Sequence, residues 1–259
     1  EEREAVVRFL TKVRMPTYLE GTSGLRERDE LSDFALRSGD KILPWGLKRG
    51  AFSRALRIGG VPTARIWRDL EEPTSPIETL SLSPLPFAGL SRGEFLCAEI
   101  APALDALGPQ EVKVLDGKWH AKDKAAFEAL EVLFKEFPQA EPSLFREISS
   151  LIPSDAHVYV GNSLPIREWD LAARFDRRFA IEANRGVNGI DGQVSSFCGS
   201  ARLDRENWAI IGDLTAMYDL AGPWAIHQRP EPTLRIVVIN NGGGRIFGRM
   251  FKSSAFENR

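Results

Sequence analysis

The sequence predicts an α/β chain built as two doubly wound, mainly parallel-sheet layers. Three observations carry this. Short apolar runs alternate with stretches of helical period along the 259 residues. The runs in "WAIIGD" and "LRIVVINN" are almost unbroken, as strands covered on both faces must be. In the second half, each polar or glycine-rich cluster directly follows such a run: Gly161-Asn162-Ser163, Asn184 to Gly192, Gly212-Asp213 and Asn240 to Gly244. Open α/β sheets bind ligands beyond the carboxyl ends of their strands, so these clusters converge on one edge.

Taken in order, "EEREAVVRFL" predicts a helix, "PTYLEG" a short strand stopped by glycine, and "LSDFALRSGDKIL" a helix followed by a turn. "ALRIGGVPTARIWRDL" reads as strand, Gly-Gly turn and helix. "IETLSLSPLPFAGLS" reads as strands interrupted by prolines, and "GEFLCAEIAPALDAL" as a helix kinked at Pro102. The polar, glycine-containing "GPQEVKVLDGKWHAKDKAAF" marks a linker, which sets domains at 1–115 and 116–259. The second domain opens with helices in "KDKAAFEALEVLFKEF" and "PSLFREISSLI". Strand and helix then alternate: "AHVYVGNS", "IREWDLAARF", "RRFAIEANRGVNGIDG", the small-residue helix "VSSFCGSARL", "WAIIGD", the helix "TAMYDLAGPWAIHQ" and "LRIVVINNGGG".

Composition narrows the function. Hydrophobic residues make up 43% and charged residues 27%, with a net charge of −2, so no basic field points to nucleic acid. No apolar run has the length of a membrane span. Cys97 and Cys198 form no CxxC, which suits a reducing cytoplasm, and the three histidines form no zinc motif.

The chemistry concentrates on Asp213 and Asn241. A right-handed crossover brings the ends of their strands together if the strands are neighbours. A carboxylate, an amide oxygen and carbonyls of the Gly242-Gly243-Gly244 loop are hard oxygen donors of the kind Mg²⁺ prefers. One carboxylate does not neutralise Mg²⁺, and a diphosphate would supply the missing charge. The helix starting near Thr215 directs its first amides to the same place. Taken alone, Asp213 reads as a helix N-cap and Asn-Gly as a turn. Their pairing, each after an apolar strand, favours the ligand reading.

Gly212-Asp213-Leu214, followed after 25 residues by Asn240-Asn241, resembles the Gly-Asp-Gly and Asn-Asn signature of the thiamine diphosphate-dependent enzymes. Leu214 replaces the usual third glycine. With "NSLPIR", "NRGVNGIDG", "GDLTAMYDL" and "NNGGGRIF", it is similar to one branch of that family, the 2-succinyl-5-enolpyruvyl-6-hydroxy-3-cyclohexene-1-carboxylate synthases of menaquinone biosynthesis. The resemblance implies a cytoplasmic, homodimeric or homotetrameric transferase that decarboxylates 2-oxoglutarate and adds the product to isochorismate. It implies thiamine diphosphate with Mg²⁺ or Mn²⁺, held by Asp213, Asn241 and the Gly243 carbonyl. Gly212, Leu214 and Thr215 would flank the cofactor, and Ile190 would prop it between its rings. Ser163, Arg167 and Arg185 match substrate-contacting positions, Ile246 and Phe247 an apolar wall, and Arg65 a contact from the central domain.

The resemblance also makes the chain a fragment: a central domain and a truncated diphosphate-binding domain of a three-domain enzyme. The glutamate that activates the cofactor would lie in the pyrimidine-binding domain outside it. No catalytic residue is assigned here, and the fragment alone is expected to be inactive. The alternatives are another thiamine diphosphate enzyme, of acetolactate synthase or 2-oxoacid decarboxylase type, and a non-catalytic anion-binding α/β module.

Overall fold

The computed structural model describes residues 1–64, 66–87, 89–107, 118–228 and 232–250, with the backbone alone at 225, 227, 228, 249 and 250. The chain divides into two compact units, Glu1–Leu144 and Phe145–Arg259.

The first unit contains α1 (Glu2–Val13), β1 (Thr17–Tyr18), β2 (Ala35–Leu36), α2 (Gly39–Lys48), β3 (Arg54–Ile58), α3 (Ile66–Glu71), β4 (Glu78–Ser83), β5 (Glu94–Cys97), α4 (Ile100–Ala106) and α5 (Lys118–Glu136). β1 pairs with β2, and β3, β4 and β5 form a parallel sheet in that order. One face of this sheet buries Leu82 against Ile100 and Leu104 of α4, with Val6 and Phe9 of α1 beside them. Ala55 packs instead with Leu70, Ile77, Leu90, Ile66 and Trp67.

Two sequence expectations change here. The helix expected from residue 31 begins only at Gly39. The amides of Arg37 and Ser38 are engaged from outside, by the buried Asp123 carboxylate of α5, at 2.9 and 2.8 Å. Ala35 and Leu36 stay extended and pair with β1. "GEFLC" is a strand, not the start of a helix: Ser81 pairs with Phe95 and Leu82 with Leu96. Gly93 opens it at φ +92°, where a Cβ would lie 2.4 Å from the Thr79 carbonyl. Pro102 then falls in the first turn of α4, where its missing N–H has no helical partner to lose.

α5 also packs into the first unit through Trp119, whose ring meets Trp45 edge-on at 5.9 Å and leaves no room for a Cβ on Gly46. The compact units therefore divide well beyond the sequence boundary at 115/116.

α6 (Glu141–Leu151) leads into the second unit. There follow β6 (His157–Val160), α7 (Leu164–Ala172), β7 (Ala180–Glu182), α8 (Gln193–Ser200), β8 (Asn207–Gly212), α9 (Asp213–Tyr218), β9 (Leu234–Ile239) and α10 (Arg245–Met250). The four strands are parallel in the order β7-β6-β8-β9. The chain thus steps from β6 to one side, then crosses back to the other. The reversal, where doubly wound sheets open a ligand crevice, lies between β6 and β8. Val158, Val160, Ile210 and Ile211 are fully buried, and Tyr159, Ala209 and Ile211 pack on Val194, Phe197 and Cys198 of α8.

The single helix expected over 215–228 is broken. α9 ends at Tyr218, and a 3-10 turn runs over Gly222–Gln228. Gly222 approaches α8 so closely that a Cβ would lie 3.0 Å from the Ser195 amide nitrogen. Asp219 accepts hydrogen bonds from the Ser195 amide and hydroxyl, satisfying one of the free amides in the first turn of α8.

Replacing Asp123 by Ala leaves two amides without their acceptor, and is expected to cost about 2–3 kcal/mol of stability. Urea unfolding of the full chain measures this; a loss below about 0.5 kcal/mol, the scale of an ordinary surface substitution, would contradict it.

Candidate functional site

The site is assembled from the ends of β6, β8 and β9. Beyond β6, Gly161 sits in a tight space: a Cβ there would lie 3.1 Å from Ile211 and 3.2 Å from the Gln193 amide oxygen. Asn162, only 1% exposed, donates its backbone N–H to Gln193 Oε1 at 2.9 Å and its side-chain amide to the Gly189 carbonyl at 2.8 Å. Its own oxygen accepts from Arg185 Nη1 at 3.1 Å. Gln193, fully buried, also donates to the Gly189 carbonyl. Two buried amides thus pin the loop 183–192 from beneath, each with donor and acceptor engaged, as burial demands. Sequence reasoning missed both. The available signal was an amide beside a glycine at the end of β6, in "VYVGNS", and at the start of a helix, in "DGQVSSF".

Ser163 follows at φ +73° and ψ −126°, a sparsely populated positive-φ conformation that costs a non-glycine residue roughly 1–3 kcal/mol. Such strain is held only where the surroundings enforce it, and it clusters at functional sites. Arg167, half-buried on α7, turns its guanidinium back onto the Ser163 carbonyl. Arg185 binds Asn162 and the Asn188 side chain, the latter at 2.7 Å. Ser163 and Arg167 are therefore joined directly, and Arg185 reaches the residue preceding Ser163. Asn184, Arg185, Val187, Gly189 and Asp191 line a cleft of about 310 Å³. Ile190 lies half-buried in the same loop.

At the other part of the edge, β8 and β9 run in parallel until Gly212 pairs with Ile239. Asp213 and Asn240-Asn241 come next on their respective chains. Asp213 Oδ1 accepts the Leu214 N–H at 2.7 Å, which engages one of its two oxygens. Thr215 is buried behind it. Gly242, Gly243 and Gly244 have φ of +84°, +73° and +65°, a run of left-handed residues that only glycine makes cheaply. The Asn240 and Asn241 side-chain oxygens accept the Gly242 and Gly243 amides at 3.3 and 3.2 Å, and the Asn241 carbonyl accepts Arg245 Nε at 2.8 Å. Gly243 lies directly against the Leu214 side chain. Ile246, half-buried, and Phe247, 48% exposed, follow on α10. Arg65 lies outside the described residues.

The donors at this edge are an aspartate, an asparagine and glycine-loop carbonyls, all hard oxygens with a single negative charge among them. They fit Mg²⁺ or Mn²⁺ that arrives with phosphate oxygens. Among the described residues, no group of three or more His, Cys, Asp or Glu could hold a metal. The described helices include none long and apolar enough to cross a membrane.

No family model matches the chain. Several curated relatives align over almost all of it. It is 42% identical over 257 residues to the 2-succinyl-5-enolpyruvyl-6-hydroxy-3-cyclohexene-1-carboxylate synthase of Bdellovibrio bacteriovorus, covering 98% of this chain and 48% of the relative. It is 37% identical over 248 residues to the synthase of the same name from Akkermansia muciniphila, covering 94% and 45%. The chain spans about half the length of the curated relatives it matches. A solved structure described as a thiamin diphosphate-dependent enzyme from Mycobacterium smegmatis superposes with a TM-score of 0.58 over 93% of this chain and 48% of that one, at 18% identity. That likeness bears out the α/β fold, and the relatives match the resemblance read from the motifs.

Two outcomes follow from the geometry. Asn162→Ala frees the loop from one of its pins, so amide hydrogen exchange over 184–191 should quicken by about tenfold or more, while β8 stays protected. Unchanged exchange there would contradict the pinning. Burial pushes the Tyr159 phenol, which lies on β6 opposite Glu182, up to about 12. The folded state holds this proton more tightly than the unfolded state. The stability it contributes is full below the ordinary phenol range and is lost as pH rises toward about 12. A difference absorbance titration against Tyr159→Phe should isolate that late step.

Proposed function

We propose that this chain is part of a 2-succinyl-5-enolpyruvyl-6-hydroxy-3-cyclohexene-1-carboxylate synthase, a thiamine diphosphate-dependent transferase of menaquinone biosynthesis. The observation that carries the proposal is the near-complete alignment at 42% identity, together with Asp213 and Asn241 following paired strands at one sheet edge. The first compact unit corresponds to the central domain and the second to the diphosphate-binding domain.

In this reading Asp213, the Asn241 side-chain oxygen and the Gly243 carbonyl hold Mg²⁺ or Mn²⁺, with Gly212, Leu214 and Thr215 beside the diphosphate and Ile190 under the cofactor. Thiamine diphosphate, when bound, supplies the electron sink that decarboxylation of a 2-oxoacid requires. Arg167 and Arg185 bind carboxylates of 2-oxoglutarate and isochorismate, for which a planar guanidinium offers paired donors. Ser163 presents its hydroxyl from a strained turn. Ile246 and Phe247 exclude water from the reacting carboxylate. The activating glutamate comes from a pyrimidine-binding domain beyond these 259 residues, in a cytoplasmic homo-oligomer.

Calorimetry on the full-length protein tests this. Thiamine diphosphate should bind only with Mg²⁺ or Mn²⁺, and Asp213→Ala should weaken binding about 100-fold, as loss of roughly 2.7 kcal/mol from a charged ligand implies. Metal-independent binding, or preference for adenine or nicotinamide nucleotides, would overturn it. Turnover of 2-oxoglutarate with isochorismate, against pyruvate alone, separates this synthase from an acetolactate synthase or decarboxylase. The 259-residue piece by itself should show no turnover.

A further inference from the structure

Leu214 stands where the general signature of these enzymes has glycine, and the structure gives it a distinct environment. A Cβ built on Gly243 would lie 3.1, 3.2 and 3.3 Å from Leu214 Cγ, Cδ2 and Cδ1. All three branch carbons of the leucine thus lie against the bare Cα of Gly243. The neighbouring glycines provide an internal contrast. A Cβ on Gly242 would meet only Arg245 Nη2, at 3.7 Å, and one on Gly244 only Phe247 Cδ2, at 3.8 Å. All three glycines have left-handed φ, so strain does not distinguish them; the contact with Leu214 does.

The connections on either side make the contact consequential. The Leu214 amide is held by Asp213 Oδ1 at 2.7 Å, and the Gly243 amide is held by Asn241 Oδ1 at 3.2 Å. A continuous chain runs from the Asp213 carboxylate through Leu214 and Gly243 to the Asn241 side chain. The two side-chain oxygens follow different strands, and the leucine joins them by packing.

Building on the proposed function, we infer that Leu214 is a positioning residue, a steric clamp that seats the Gly242-Gly243-Gly244 loop on the first turn of α9 and sets the spacing of the Asp213, Asn241 and Gly243 oxygens before the cation arrives. A glycine at 214 removes the three atoms that lie nearest to a Cβ position at Gly243, and with them the packing that seats this loop. The clamp trades loop freedom for a preformed oxygen set, so less ordering is left to be done on binding.

The test is a double-mutant cycle on the full-length protein, read as the Mn²⁺ concentration for half-saturation in the presence of thiamine diphosphate, by electron paramagnetic resonance of free Mn²⁺. Leu214→Ala should raise it about tenfold, and Leu214→Met, which refills the space, should return it to within about threefold of the unmutated protein. Gly243→Ala should raise it about 100-fold, and adding Leu214→Ala should recover about tenfold of that loss by making room for the methyl group. Gly244→Ala, which bears the φ strain alone, should cost the same factor in either background. Circular dichroism and thermal unfolding establish that each variant is folded; if Gly243→Ala is not, the Leu214→Ala and Leu214→Met pair decides.

Unchanged half-saturation in Leu214→Ala, or an equal factor for Gly243→Ala in both backgrounds, overturns the clamp while leaving the proposed function standing. Absence of Mn²⁺ and thiamine diphosphate binding in the unmutated protein overturns the proposed function, and the clamp with it.

Discussion

The parallel pairing of β8 with β9 is the constraint on which the candidate site rests. Parallel strands deliver their carboxyl ends to the same edge, and the register that sets Gly212 opposite Ile239 brings Asp213 and the two asparagines out together. No contact between the two side chains needs to be specified directly. Asn207, fully buried at the start of β8, donates its side-chain amide to the Thr233 carbonyl just before β9, so a slip of one residue would leave a buried polar group without that partner. The placement of β6 beside β8 adds the third strand end and the reversal of strand order that opens the crevice.

What holds the loops over this edge is mostly amide chemistry. Asn162 and Gln193 carry no charge to desolvate, and each satisfies donor and acceptor inside the unit. They rigidify the loop carrying Arg185 and Ile190 without adding charge next to a site that would receive anions. The strain at Ser163 and the left-handed glycines after Asn241 sit at the same edge, where the backbone departs from regular geometry. The first unit uses a charged version of the same device: Asp123 reaches from α5 to the amides that precede α2.

Much of this was legible in the sequence because the signals were local. The apolar runs of β6, β8 and β9 mark parallel strands, and the polar cluster after each marks the edge; β9 departs from the expected cover on both faces, because it closes the sheet order and leaves Ile236 37% and Val238 44% exposed. Other elements depended on distant partners. β5 alternates Phe95 and Leu96 in a stretch whose composition also suits a helix, and only pairing with β4 decides between them. The start of α2 is set by a carboxylate 86 residues away in sequence. The helix expected after Thr215 breaks because Gly222 must approach Ser195 on α8. The boundary between units shifted for the same kind of reason, since Trp119 finds its partners in α2 and beside it. In the site, motif residues were legible, whereas the supporting Asn162 and Gln193 were not, because their role lies in a loop they touch only after folding.

The central claim is that the ends of β8 and β9 together hold a divalent cation with a diphosphate. A crystal structure of the full-length protein with Mn²⁺ and thiamine diphosphate, read through the anomalous signal of manganese, tests it directly. The account predicts one strong peak at about 2.0–2.3 Å from an Asp213 carboxylate oxygen, the Asn241 side-chain oxygen and the Gly243 carbonyl, with diphosphate oxygens completing the shell. A peak bound elsewhere, or diphosphate seated without metal at this edge, would contradict it.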